Sequence, residues 1–352
     1  MANEAEFVYH RRIMTSRTMR AARFGGDNRI TIVDVPLPEP GSGQLLLRVG
    51  ANALCGSERG QFRNGASVIP GHEAAGVVAA AGPETRTAIG TPGVVFLMAF
   101  CGQCRNCLRG ATNQCTAKRG DMGFNRDGGY AEYQIVDEST FFAAPAEMSA
   151  TDATLLLDIM GTGGHAIERG RRVHDDIRSV HVAGAGPIGL GVLAMAKIML
   201  GDLPVYISDV SPYRLALAEK LGGLPVDVSN GSLADGLTRH GISHVDLAID
   251  TSGKGVARQA AMDCLEKRGA FVCVGHGEGL NLDVSRHLIA PEHAVLGSEY
   301  FCYDELPANV ERLRDHRSYI AQIITHRMPL AEIQTAFELF FGGATGKVVI
   351  EP

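Results

Sequence analysis

The sharpest chemistry in this sequence lies in its cysteines. Cys101-Gly-Gln-Cys104-Arg-Asn-Cys107 is followed by Cys115. Four thiolates at this spacing can wrap one zinc ion tetrahedrally, because each two-residue gap lets a tight turn aim both sulfurs inward. Such a site leaves no open position for substrate, so its expected role is structural. Disulfides are the rival reading, and the lack of an apolar leader speaks against them. A redox pair would leave the other two cysteines unexplained.

A second ligand set starts at Cys55-Gly-Ser57 and continues at Gly71-His72-Glu73. A lone cysteine in apolar company is usually a small buried hydrophobe. Here it is followed by a His-Glu pair, and thiolate, imidazole and carboxylate are ligands that zinc accepts. Asp158 is a further candidate. It interrupts the otherwise apolar run Thr154–Met160, where an unpaired carboxylate is costly, so it needs a partner or caps a helix.

The third signal is Ser179–Asp209. A short strand, Val180–Ala183, runs into Gly184-Ala-Gly186-Pro187-Ile188-Gly189, followed by a helix-compatible apolar segment and a second strand, Val205–Ser208, that stops at Asp209. In a dinucleotide site the first glycine permits the turn and the second lets backbone approach the pyrophosphate. The third allows close helix–strand packing. The helix N-terminus attracts phosphate. Asp209 is placed to accept hydrogen bonds from the adenosine ribose and to repel a 2′-phosphate, which selects NAD. Further on, a strand reaching Asp250 ends at Thr251, and Ala270–Val274 reads as another. Ligands bind at the carboxyl ends of such parallel strands, which makes Thr251 and Val274 candidate cofactor contacts.

These sites need a scaffold, and the chain supplies two kinds. At 352 residues, with 45% apolar and 20% charged residues, it has material for about two domains. Arg20–Phe24, Ile30–Val35 and Leu45–Ala51 read as strands separated by turns, a β-rich unit. The region around Ser179–Val274 alternates strands and helices. Leu330–Phe341 has helical spacing, and Lys347–Ile350 is a closing strand. Residues 1–18 lack periodicity and read as a flexible extension, or as a start placed upstream of Met14 or Met19. The net charge of −6 excludes a nucleic-acid surface as the leading reading. No apolar run approaches the ~20 residues of a membrane span, so a cytoplasmic location is expected.

Together these motifs resemble the zinc-dependent medium-chain dehydrogenase/reductase family, in its alcohol and polyol dehydrogenase part and nearest the threonine- and sorbitol-dehydrogenase-like branch. The match runs from about Met19 to the C-terminus. It also takes in Gly123-Phe-Asn-Arg-Asp-Gly-Gly129, Ala131-Glu132-Tyr133, Thr325–Leu330 and Gly346–Ile350. The resemblance implies an α/β fold with a GroES-like β-rich catalytic domain (19–157 and 298–352) and a Rossmann doubly wound nucleotide-binding domain (158–297).

It also implies two zinc ions per chain, NAD, a small alcohol or polyol substrate, and a homodimer or homotetramer joined through an edge strand near Ala294–Leu296. Neither nucleic acid nor membrane is expected as a partner. Asp158 falls where relatives place a further ligand of the catalytic zinc, beside Cys55, His72 and Glu73. Thr162 resembles a nicotinamide contact, Arg214 a basic residue beside the adenosine ribose, and Lys347 a pyrophosphate contact. Ser57 is implied as the first proton carrier. His165 is expected to be packed and hydrogen-bonded, and Cys264, Cys273 and Cys302 to be core. The sequence departs from the family at Gly60, where a proton-relaying histidine often stands, and in a shortened loop between Cys55 and His72.

Overall fold

The computed structural model describes residues 17–352. Most of the expected extension at 1–18 lies outside them, but Thr18 already belongs to a strand. That strand, β1 (Thr18–Gly26), pairs antiparallel with β2 (Arg29–Pro36) through a turn at Asp27-Asn28, both at positive φ. The alternating burial of β1 turns Met19, Ala21 and Phe24 inward, as a half-buried strand requires.

The second sheet gathers β3 (Gln44–Ala53), β4 (Ala74–Ala81), β5 (Pro92–Val95), β6 (Tyr133–Asp137) and β7 (Phe141–Ala143). It is completed from the far end of the chain. A third sheet contains β8 (Val180–Ala183), β9 (Val205–Asp209), β10 (Leu224–Asp227), β11 (Val245–Asp250), β12 (Leu265–Cys273) and β13 (Ala294–Gly297). Finally β14 (Ile324–Pro329) and β15 (Lys347–Glu351) return to the second sheet, whose order is β14-β15-β3-β4-β5-β7, with β6 also on β3.

The third sheet is parallel throughout, in the order β10-β9-β8-β11-β12-β13. This is the doubly wound arrangement, and its direction reverses between β8 and β11. The strands are short, continuous apolar runs because both faces are covered, and β8, for example, is buried along its whole length. The largest core cluster joins this sheet to Leu155–Met160 and to Phe96 and Phe301. The segment between the two sheets is thus buried on all sides. One expectation shifts here: β12 begins at Leu265, not near Ala270, and absorbs a register irregularity through Arg268 at φ 64°.

His181 on β8 is buried, with Nε2 and Ser208 Oγ 2.9 Å apart, and burial pushes its pKa down from 6.5 to about 4. Between those values the unfolded chain binds a proton that the folded chain does not, so stability rises with pH across that window. Falling from pH 6.5 to 4 should therefore cost about 3 kcal/mol from this group. Chemical denaturation of His181→Gln across the same range should show a correspondingly flatter dependence. Parallel curves for the two proteins would refute the assignment.

Candidate active site

β3 delivers Cys55 just past its end, and the approach to β4 delivers His72 and Glu73. Asp158 opens a π-helical turn, Asp158–Thr162, in the buried connection between the sheets. The four residues come from three separate stretches, yet one donor atom from each lies within 4.8 Å of the others, and all four are buried. Cys55 Sγ is 3.1 Å from Asp158 Oδ2, and His72 Nε2 is 3.6 Å from the same oxygen. The cap reading of Asp158 is corrected. Leu157 is the N-cap residue, and the Asp158 carboxylate faces Cys55 and accepts from Thr162 Oγ1 at 3.3 Å.

Behind the cluster sits a supporting layer. His72 Nδ1 stands 3.0 Å from Glu58 Oε1, and Glu58 Oε2 accepts from the Tyr130 hydroxyl at 2.7 Å. The short loop after Cys55 folds as a 3₁₀ turn, Gly56–Glu58, that turns Glu58 inward and leaves Ser57 exposed. A carboxylate behind a ligating histidine fixes the ring's orientation.

Lys347 has a partner within the chain. It is fully buried on β15 and pairs with Glu73 Oε1, an ion pair that its place in the sequence does not announce. The physical reason is the burial of Glu73, whose charge needs a partner at that depth.

Protonation follows from this crowding. Burial disfavours a charged imidazole, but hydrogen bonds to Asp158, Cys55 and Glu58 outweigh it and hold His72 well above its ordinary value. Burial and the Asp158 charge raise the Cys55 thiol. Glu73 is raised well above the carboxylate range by burial and Asp158, against the pull of Lys347. Asp158 is lowered, since its hydrogen bond and charge attraction to His72 overcome burial. Three acidic groups share the site with two cations, and Glu73 Oε2 lacks a hydrogen-bond partner. A thiol, an imidazole and a surplus of carboxylate around one point are the donor set of a zinc site, and the residues fit that ion.

The four-cysteine lobe is equally compact. Cys104 Sγ lies 3.5 Å from Cys107 Sγ and 4.0 Å from Cys115 Sγ, and Cys101 Sγ lies 4.0 Å from Cys107 Sγ. The edge of a tetrahedral zinc–thiolate site is about 3.8 Å. All eight cysteines are free, which removes the disulfide reading. Backbone donors at Cys107 and Thr116 pull the Cys104 thiol down to about 5.

At the nucleotide side the three glycines divide their labour. Gly184 takes φ +95° and turns the chain. A Cβ on Gly189 would strike the Gly184 carbonyl oxygen at 1.8 Å, whereas one on Gly186 would meet only the Arg214 guanidinium at 3.9 Å. The face over Gly186 is thus open and flanked by a cation. The following helix, Pro187–Leu200, has no side-chain cap, so its first N–H groups remain available. Asp209 accepts from Ala185 N at 2.7 Å and from Ser211 N at 2.8 Å, leaving further lone pairs on each oxygen.

Two of the expected contact residues also make hydrogen bonds within the chain. The Thr251 hydroxyl faces the carbonyls of Ala183 and Gly184, both at 3.0 Å, and Thr162 is turned to Asp158. Val274 lines a cleft of about 620 Å³ together with His165, His276, Ser298 and Cys302.

His165 is buried and hydrogen-bonded as expected, with Nδ1 2.7 Å from Glu305 Oε1. Cys264 is core, Cys273 is only partly buried and lines that cleft, and Cys302 is not core either. It is only partly buried and lines that cleft, and burial and Glu305 push its thiol up to about 11. Cys302 and Glu305 lie far along the chain from His165, so only their three-residue spacing was visible in the sequence.

Comparison with known proteins places these features in a family. Residues 41–146 match the model of the alcohol dehydrogenase GroES-like domain, and residues 187–315 match that of zinc-binding dehydrogenases. The chain is 30% identical over 358 residues to an uncharacterized zinc-type alcohol dehydrogenase-like protein, YphC, of Escherichia coli K12, covering 95% of this chain and 99% of the relative. It is also 30% identical over 347 residues to an L-threonine 3-dehydrogenase of Marinomonas, covering 94% and 98%. Among solved structures, an alcohol dehydrogenase of Escherichia coli CFT073 complexed with NADH superposes with a TM-score of 0.86 over 96% of this chain and all of its own, at 22% identity.

Proposed function

The chain belongs to the zinc-binding, GroES-like alcohol dehydrogenase family, and from that premise we propose that it moves a hydride between a secondary alcohol or polyol-type substrate and NAD. The observation that carries the reading is the buried Cys55–His72–Asp158 cluster, set between a β-rich sheet and a doubly wound sheet with an open glycine turn. When bound, zinc lowers the pKa of an alcohol hydroxyl, and NAD accepts the hydride.

The chain's own residues supply the rest. Cys55, His72 and Asp158 would hold the catalytic zinc, with Glu58 orienting His72 and Glu73 restrained by Lys347. Cys101, Cys104, Cys107 and Cys115 would hold the structural one. Ser57, two residues after Cys55 and exposed, takes up the alcohol proton at Oγ, since a hydroxyl can accept and donate at once. The open backbone at Gly186 and the helix N-terminus receive the pyrophosphate, with Arg214 as the flanking cation. Asp209 receives the adenosine ribose. β13, half-exposed at the edge of its sheet, is the surface through which copies would associate.

The test is a panel of secondary alcohols, polyols, cyclitols and amino-alcohols, including L-threonine, followed by nicotinamide absorbance with NAD and NADP. A single substrate oxidised fixes class and direction. No turnover on any, with zinc and nucleotide still bound, would replace the proposal with a sensor of the same fold.

Within that panel NAD should be the better cofactor, and Asp209→Ala should narrow the preference. Each tenfold change in the ratio of kcat/KM corresponds to about 1.4 kcal/mol of differential transition-state binding. Equal efficiency of the wild type with both cofactors would mean that Asp209 does not face the ribose.

A further inference from the structure

Beyond the two ligand sets already described, the described residues bring together one more group of metal-type donors. His165, Cys302 and Glu305 each offer an atom within 4.8 Å of the others. Neither the hydride chemistry nor the cysteine lobe uses them.

Their arrangement is fixed by three separate elements. His165 projects from the helix Gly163–Arg171 and is buried. Cys302 caps the 3₁₀ turn Tyr303–Glu305 in a capping-box geometry, and the Cys302 N–H donates to Glu305 Oε2 at 3.3 Å. This reciprocal cap brings the Glu305 carboxylate back over Cys302. Its other oxygen, Oε1, lies 2.7 Å from His165 Nδ1. The third element is the cysteine lobe. Asn113 Oδ1 accepts from Cys302 Sγ at 3.4 Å, and Thr112 Oγ1 accepts from Tyr303 N at 2.8 Å.

The group does not close on itself. Cys302 and His165 both line the cleft of about 620 Å³, whose wall also carries Arg169, Arg172 and His276. Hydrogen bonding accounts for His165 and Glu305, and the thiol accepts from the Glu305 N–H in the capping box and makes a long contact to an amide oxygen, while standing within 4.8 Å of an imidazole nitrogen and a carboxylate oxygen.

We propose that His165, Cys302 and Glu305 form a third metal site, for zinc or a similar borderline divalent ion, with its fourth position open to this cleft. The donor types are those zinc takes, and three protein ligands plus one open position is its usual arrangement outside closed structural sites. Tetrahedral coordination requires donor separations of about 3.3–3.6 Å. The His165–Glu305 pair, 2.7 Å apart, therefore opens by under about 1 Å, and the thiol, within 4.8 Å of both partners, closes by at most about 1.5 Å. Binding expels the Cys302 thiol proton to solvent, so thiolate and carboxylate balance the dication. The ion takes the lone pair of His165 Nδ1, so the ring proton that faces Glu305 moves to Nε2, 3.4 Å from the Asn113 amide. The site ties the cysteine lobe to the helix Gly163–Arg171, so its occupation should stiffen that junction without entering the hydride-transfer site.

The experiment is a zinc count. Full-length protein is supplied with zinc, freed of loosely held metal by gel filtration, and measured by elemental analysis beside Cys302→Ser. The serine retains a hydroxyl for Asn113 but is a poor zinc ligand. The expected result is one zinc equivalent fewer per chain in Cys302→Ser, with dehydrogenase turnover within about twofold of wild type. Equal zinc content in the two proteins overturns the proposal. If Cys302→Ser does not fold, Glu305→Gln, which can still accept from the Cys302 N–H, is read in the same way. Because the readout is a difference between two proteins, it is independent of whether the Cys55 cluster turns over any alcohol. Cys104→Ser, which should lose the lobe equivalent and keep this one, identifies which site is emptied.

Discussion

Asp158→Asn is expected to remove one zinc equivalent and to lower turnover by at least about 10³-fold, or ~4 kcal/mol of transition-state stabilisation. The substitution keeps the shape and the contact with Thr162 Oγ1 while removing the charge that faces both Cys55 and His72. Glu73 is the competing carboxylate, but its Oε1 is already engaged by buried Lys347. A well-folded Asp158→Asn protein with undiminished zinc and turnover would transfer the ligand role to Glu73. The contrasting variant, Glu73→Gln, should act mainly on stability. It replaces the carboxyl that buried Lys347 pairs with by a neutral amide, a loss readable as a lowered denaturation midpoint.

Ser57→Ala should lower turnover by at least ~100-fold under conditions where hydride transfer limits the rate, the range of a lost general acid–base group. Ser57 is exposed and lies two residues after Cys55 in the chain, and its neighbour cannot substitute for it. Glu58 is fully buried against Tyr130 and His72. Position 60, where relatives often carry a relaying histidine, is an exposed glycine, and a Cβ there would meet nothing within 4 Å. Gly60→His therefore fits sterically and should change the pH dependence of turnover more than its maximum. Near-normal turnover in Ser57→Ala would show that the proton leaves by another route, with Asp158 the leading candidate.

Much of the scaffold was legible because its signals are local. The patterns at Arg20–Phe24 and Leu45–Ala51, and the apolar run at Val180–Ala183, marked strands from neighbouring residues alone, and the structure extends the first two to Thr18–Gly26 and Gln44–Ala53. The beginning of β12 was not legible. Leu265 enters the sheet through Arg268 at positive φ, a backbone conformation that no apolar pattern announces.

The sequence by itself determined the features whose parts lie within one short stretch: the four-cysteine lobe, where spacing fixes the reach of each sulfur, and the turn from Gly184 to Gly189, where the conformation at Gly184 and the packing at Gly189 require glycine. It also identified Cys55, His72, Glu73 and Asp158 as donor types. Only the tertiary structure decided how they are shared. β15 returns beside β3, which buries Lys347 next to Glu73 and leaves Asp158 facing Cys55 and His72. A separate long-range contact, of the turn Tyr303–Glu305 with the cysteine lobe and the helix Gly163–Arg171, brings Cys302 and Glu305 to His165. Such pairings depend on sheet order and on the burial of charge, whose partner is chosen by proximity in space, and sequence separation carries no record of it.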